Sequence, residues 1–182
     1  WWFGVAGGAN YNMYRGTTQN LNAGLKATDA FHDGNGFGLF AGPVIEYHRP
    51  NSVFGFMLQA GYDDRRGKYD QIVNTANRTQ DLTTKLSYIT VEPSLRIAPF
   101  RSDFYLFLGP RVAFNVNKSF TYTLGPDPLV PASTATEVKG DLDDIRSTVF
   151  SGQVGLGYDI WLSSKSSHSQ AILSPFVSYH PK

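Results

Sequence analysis

Apolar and polar side chains alternate along this chain with a period of two, which is the signature of extended strands with two unlike faces. In the first segment Trp1, Phe3, Val5, Ala9, Tyr11 and Met13 share one face, against Trp2, Gly4, Ala6, Gly8, Asn10, Asn12 and Tyr14. In the second, Phe37, Leu39, Ala41, Pro43, Ile45 and Tyr47 oppose Gly38, Phe40, Gly42, Val44, Glu46 and His48. The same alternation recurs over residues 54–63, 88–97, 104–117, 150–162 and 173–180, so seven strands are predicted. No segment sustains a helical period, and no run approaches the ~18 consecutive apolar residues of a transmembrane helix.

The connections alternate in length. Residues 49–52, 99–103 and 163–170 are short; residues 16–36, 64–85 and 118–146 are long and rich in Asn, Thr, Asp and Gly. Short turns at one end and long loops at the other are the pattern of bacterial transmembrane barrels, and they place the long connections outside the cell. A β-sandwich has turns of similar length at both ends. Within the first long connection, Asp33-Gly34 and Asn35-Gly36 read as turn chemistry. Pro43, Pro93, Pro110 and Pro175 interrupt the segments, and each predicts a bulge or an unpaired rung because it lacks a ladder donor.

Alternation alone leaves open which face looks inward. A soluble ligand-binding barrel would turn its apolar face in and show Lys, Glu and Thr to water. Here the polar face is mostly Gly, Ala, Ser, Asn, Gln and aromatics with a few isolated charges, which suits the interior of a narrow barrel. Aromatics make up 14% of the chain, and Trp1, Tyr11, Tyr47, Tyr62 and Tyr179 fall near segment ends, as an interfacial girdle requires. The expected class is all-β: a small antiparallel transmembrane up-and-down β-barrel, one domain over residues 1–182, surrounded by outer-membrane lipid. Single-chain bacterial barrels have an even number of strands, so an eighth is expected beyond Lys182.

A net charge of +1 argues against nucleic acid as a partner. With no Cys there is neither a disulfide framework nor thiol chemistry. The inward face carries Glu46, Glu92, Arg96, Arg111 and Asp159, and charges inside a barrel must meet opposite charges. They read as an internal network that fills and fixes the barrel, with a gate or selectivity site as the alternative. A hairpin at residues 99–103 puts opposed positions at sums of about 201–203, so Glu92 faces Arg111 directly or diagonally. Arg96 then reaches Glu46 or Asp159 nearer the short-turn end.

Phe40, Tyr105, Phe107 and Trp161, interleaved with Gly, predict a plugged lumen rather than an open pore. Neither metal nor cofactor is expected, since His32-Asp33 lacks the alternating carboxylates of a calcium loop. Asp63-Asp64-Arg65-Arg66 and Asp141-Leu142-Asp143-Asp144 read as solvated rim charges. His48 and His168 fall toward the short-turn end, His32 and His180 toward the other. Spacing assembles no Ser-His-Asp set, which leaves an outer-membrane protease or lipid acyltransferase as the less favoured reading.

Three stretches carry a resemblance: Ala30-Phe31-His32-Asp33-Gly34-Asn35-Gly36, Leu86-Ser87-Tyr88-Ile89-Thr90-Val91-Glu92-Pro93-Ser94-Leu95-Arg96 and Ser174-Pro175-Phe176-Val177-Ser178-Tyr179-His180-Pro181. With them the whole chain resembles the N-terminal β-barrel domain of OmpA-like outer-membrane proteins of Gram-negative bacteria. That resemblance implies a structural anchor in the outer membrane. It also implies peptidoglycan as a partner, reached only through a periplasmic domain of a longer precursor. The alternative is an accessory subunit held against other outer-membrane proteins in a larger assembly.

Overall fold

The computed structural model describes residues 1–48, 52–163 and 170–181. Long strands dominate: β1 (Trp2–Asn22), β2 (Leu25–His48) and β3 (Phe54–Tyr69), the short β4 (Ile72–Val73), then β5 (Thr79–Ile97) and β6 (Phe104–Leu124). There follow β7 (Thr136–Asp141), β8 (Thr148–Tyr158), the two-residue β9 (Ile160–Trp161) and β10 (Ile172–Leu173), and β11 (Phe176–Tyr179). One antiparallel sheet runs β1-β2-β3-β5-β6-β8-β11, each strand beside its predecessor, with β4 and β7 attached to β5 and β6. The sheet curls around a filled interior. Among the described residues its two edge strands, β1 and β11, do not pair with each other.

Alternation decides the two faces. Trp1, Phe3, Val5, Phe37, Leu39, Phe54, Phe150 and Val177 are exposed outward, between 62% and 84% of their surface for the eight. Inward, Thr90, Glu92, Ser94, Arg96, Tyr105, Phe107, Arg111 and Gln153 are buried. A fold with its large apolar side chains outside and its charges inside has lipid as its solvent. Going up the strands, the outward face turns polar beyond Met13, Tyr62, Ile89 and Val116, where Arg15, Asp64, Ser87 and Asn117 follow. In β6 the change coincides with a register shift between Ser87 and Tyr88 of β5, where Val116 is the extra residue.

The long connections are only partly loops. Most of their length continues the strands: β1 and β2 meet at Ala23-Gly24, and β5 and β6 remain paired as far as Gln80 and Leu124. Asp33, Gly34, Asn35 and Gly36 sit inside β2 opposite Arg15, Tyr14, Met13 and Asn12, so the expected turn is a strand. The physical reason lies on the inward face. Leu21, Ala27, Phe31, Leu82, Leu86, Phe120, Tyr122 and Leu142 form a second hydrophobic cluster within the projecting hairpins. Polar outward residues there face water rather than lipid, which makes a strand read as a loop by composition.

The prolines produce unpaired rungs rather than bulges. Flanking pairs Leu95↔Leu108 and Val91↔Val112 align Pro93 with Pro110, and the β5–β6 ladder lapses between them. Two residues without N–H thus share one gap. Pro43 pairs with Val5, while toward β3 the ladder skips it between Ala41↔Tyr62 and Val44↔Gln59. Pro175 lies between β10 and β11, where its carbonyl accepts the Tyr158 N–H at 3.1 Å.

Candidate functional site

The five charges singled out from sequence all lie on the inward face, gathered around two arginines. On β6, Arg111 is 1% exposed and stands opposite Glu92 of β5, because the register sum is 203 on both sides of the proline gap. Its Nε donates to Glu92 Oε1 at 2.7 Å, and its Nη2 donates to Asp63 Oδ2 of β3. Asp63 also accepts from Arg65 Nε at 2.7 Å and, through Oδ1, from Asn10 of β1. Two cations and two carboxylates are therefore balanced in a layer that ties together four strands.

The second node lies nearer the short turns. Arg96 of β5 brings Nε within 2.5 Å of Glu46 Oε1 on β2 and donates through Nη2 to Asp159, just after β8. Its guanidinium also lies over the Tyr105 ring, 4.1 Å from the centroid, a placement the ring's negative face favours. Ser174 donates to the other oxygen of Asp159 at 2.8 Å. Between the two nodes, Gln153 donates to Ser94.

Aromatic side chains fill the space below and beside these charges. Phe107 packs against Phe176 with centroids 6.0 Å apart, and Phe176 against Phe40 at 5.8 Å. Small residues make room for them: a Cβ on Gly155 would come within 2.3 Å of the Phe107 ring, and one on Gly157 within 2.4 Å of Tyr105. At the short-turn mouth Trp2 stacks on His48 at 5.8 Å and meets Trp161 edge-on at 5.7 Å. The lumen is thus filled in layers, with projecting-hairpin cluster, ion layer, ion layer and aromatic base in succession.

Sequence reasoning missed the part played by Asp63 and its neighbours. Asp63 and Asp64 are 5% and 6% exposed rather than solvated, and each binds an arginine two residues on. The signal was present, since Asp63 shares the parity of Gly55, Met57 and Gly61 on β3. Of the other rim charges, Asp143 accepts the Ala23 N–H at 2.6 Å and so caps the β1–β2 turn. His32 approaches Thr17 at 3.4 Å on an exposed face. His168 lies outside the described residues.

Ser178 and His180 line a lateral cleft of about 1360 Å³ between β1 and β11, together with Asp63. Asp63 is committed to Arg111, Arg65 and Asn10, so it does not orient an imidazole, and among the described residues the buried His180 Nε2 has no hydrogen-bond partner. This arrangement lacks the hydrogen-bonded base and orienting acid of nucleophilic catalysis. What it supplies is an interior in which buried charges are paired across strands. Searches of the curated proteins and of the solved structures found no match. A family model described as outer membrane protein beta-barrel domain matches residues 1–171, and the chain belongs to that family.

Proposed function

We propose that this chain is the structural anchor barrel of an OmpA-like protein, with a lumen closed by side chains. Its long hairpins lie outside the cell, and in the longer precursor it tethers a periplasmic peptidoglycan-binding domain. The observation that carries this reading is the pair of ion layers centred on Arg111 and Arg96, both buried and each ion-paired with two carboxylates from elsewhere in the sheet. Such layers fill the axis of a narrow barrel with side chains. The open edges of β1 and β11 flank the lateral cleft, and one further strand pairing with both edges would close it. Those same edges favour a second reading, in which a strand of another outer-membrane protein completes the sheet within a larger assembly.

Conductance tests the closed lumen. The full-length protein in planar bilayers is expected to show no steady channel, and large, stable openings would overturn the reading. Topology is tested separately, and the chain's lack of Cys makes it convenient. A cysteine at Leu129, 84% exposed at the long-hairpin end, is expected to react with a bulky maleimide on intact cells. A cysteine at Phe100, 97% exposed in the short turn, is expected to react only after lysis. The opposite result reverses the orientation.

A further inference from the structure

The sheet ends differently at its two levels. In the membrane band its edges are β1 and β11, which do not pair with each other among the described residues. Higher up, β8 begins only at Thr148, opposite Phe114 of β6, and β7 holds the β6 edge from Ser119 to Leu124. Between these two partners residues 142–147 make an excursion. The Leu142 N–H donates to the Lys118 carbonyl at 2.9 Å, and the chain regains β6 where the Asn115 N–H donates to the Ser147 carbonyl at 2.8 Å. Within the excursion Asp143 reaches the far end of the sheet. Its N–H donates to the Leu21 carbonyl of β1 at 3.2 Å, and its carboxylate accepts the Ala23 N–H at 2.6 Å.

Side chains follow the backbone across. Leu21 and Leu142 are both buried and share one cluster with Phe31, Leu82 and Phe120. A Cβ added to Gly140 would lie 3.1 Å from the Asn22 side-chain nitrogen and 3.2 Å from the Phe120 ring, so β7 lies tight against the β1–β2 tip. The two flanks of this closure are unequal. β7 pairs with β6 along its whole length, whereas the hold on β1 rests on the hydrogen bonds of Asp143 and on packing within the cluster. A junction of that kind parts by local opening before the ladder beside it does.

We propose that Leu142 and Asp143 form a clasp that shuts the long-hairpin mouth of the barrel independently of the β1 and β11 edges. With the clasp engaged, the gap between those edges is open or filled without exposing the interior cluster to water at the hairpin end. The clasp rests on the membrane-barrel reading above but not on which end faces outward, which the cysteine labelling at Leu129 and Phe100 decides by itself.

The test places single cysteines inside the hairpin end of the full-length protein, in open membrane fragments whose two faces are both accessible. Ala27→Cys on β2 and Thr84→Cys, between Leu82 and Leu86 on β5, replace small side chains at buried positions. With the clasp intact, a charged methanethiosulfonate reagent is expected to modify them about a hundredfold more slowly than Leu129→Cys, because reaction waits for local opening. Asp143→Ala is expected to raise both rates about tenfold, the worth of one charge-assisted hydrogen bond in that opening. Asp143→Asn keeps an acceptor for the Ala23 N–H and is expected to retain most of the protection. Asp144→Ala, next along the chain and exposed, is expected to retain all of it. Phe176→Ala, which loosens β11 from Phe40 and Phe107, is expected to leave the rates unchanged. Rates equal to that of Leu129→Cys overturn the proposal. So do rates that Asp143→Ala leaves unaltered, or that Phe176→Ala raises as much.

Discussion

Truncating Arg111 to Ala is expected to destabilise the folded barrel by about 3–5 kcal/mol, the usual cost of breaking a buried ion pair from one side. The reason is what stays behind. Glu92 is 5% exposed and takes its charged hydrogen bond from Arg111, so the variant leaves a buried carboxylate without its cation. Asp63 suffers less, because Arg65 and Asn10 still hold it. Replacing both partners, as Arg111→Leu/Glu92→Leu, removes the stranded charge and is expected to lose less than half as much. Urea unfolding from lipid vesicles measures both. Equal losses in the single and double variants would mean that the pair is not coupled, and the network would then be a poor account of the filled lumen.

That network was largely legible in the sequence, and the reason is parity. A strand of strict period two assigns every residue to a face once a few apolar ones are placed, so Glu46, Glu92, Arg96, Arg111 and Asp159 could be put inside without any contact being known. The short turn at Pro99–Arg101 then set the register that aligns Glu92 with Arg111. The reading failed where the solvent changed. Beyond the membrane both faces of a strand carry Asn, Thr and Asp, and only the inward Leu21, Phe31, Leu82 and Phe120 mark the continuing sheet. Residues 16–36 therefore looked like a loop and are two paired strands. Asp63 was obscured for the same reason, since it stands in a run of four charges that resembles a solvated rim. Closure of the sheet was not legible either, since the edge strands β1 and β11 do not pair with each other among the described residues.

The second large effect falls on a position without a side chain. Gly42→Ala is expected to cost about 3 kcal/mol, at the upper end for overpacking, and to weaken pairing of β2 with β3. A Cβ built on Gly42 lies 1.9 Å from the Ala60 carbonyl oxygen and 2.4 Å from Gly61 Cα, both backbone atoms of the neighbouring strand. No rotamer relieves that clash, so the strands must separate. The β2–β3 ladder is already interrupted here, between Ala41↔Tyr62 and Val44↔Gln59, where the sheet bends tightly around its lumen. Gly7 of β1 provides the contrast. It faces outward, and its added Cβ would meet only the Phe40 carbonyl oxygen at an ordinary 3.5 Å. Neither glycine has a positive φ, so both changes restrict the unfolded chain equally, a gain of about 0.4–1 kcal/mol. Gly7→Ala is therefore expected to leave the barrel as stable as before or slightly more so, while Gly42→Ala unfolds at lower urea. Matched behaviour of the two variants would show that close approach of β2 and β3 is not what holds the curl.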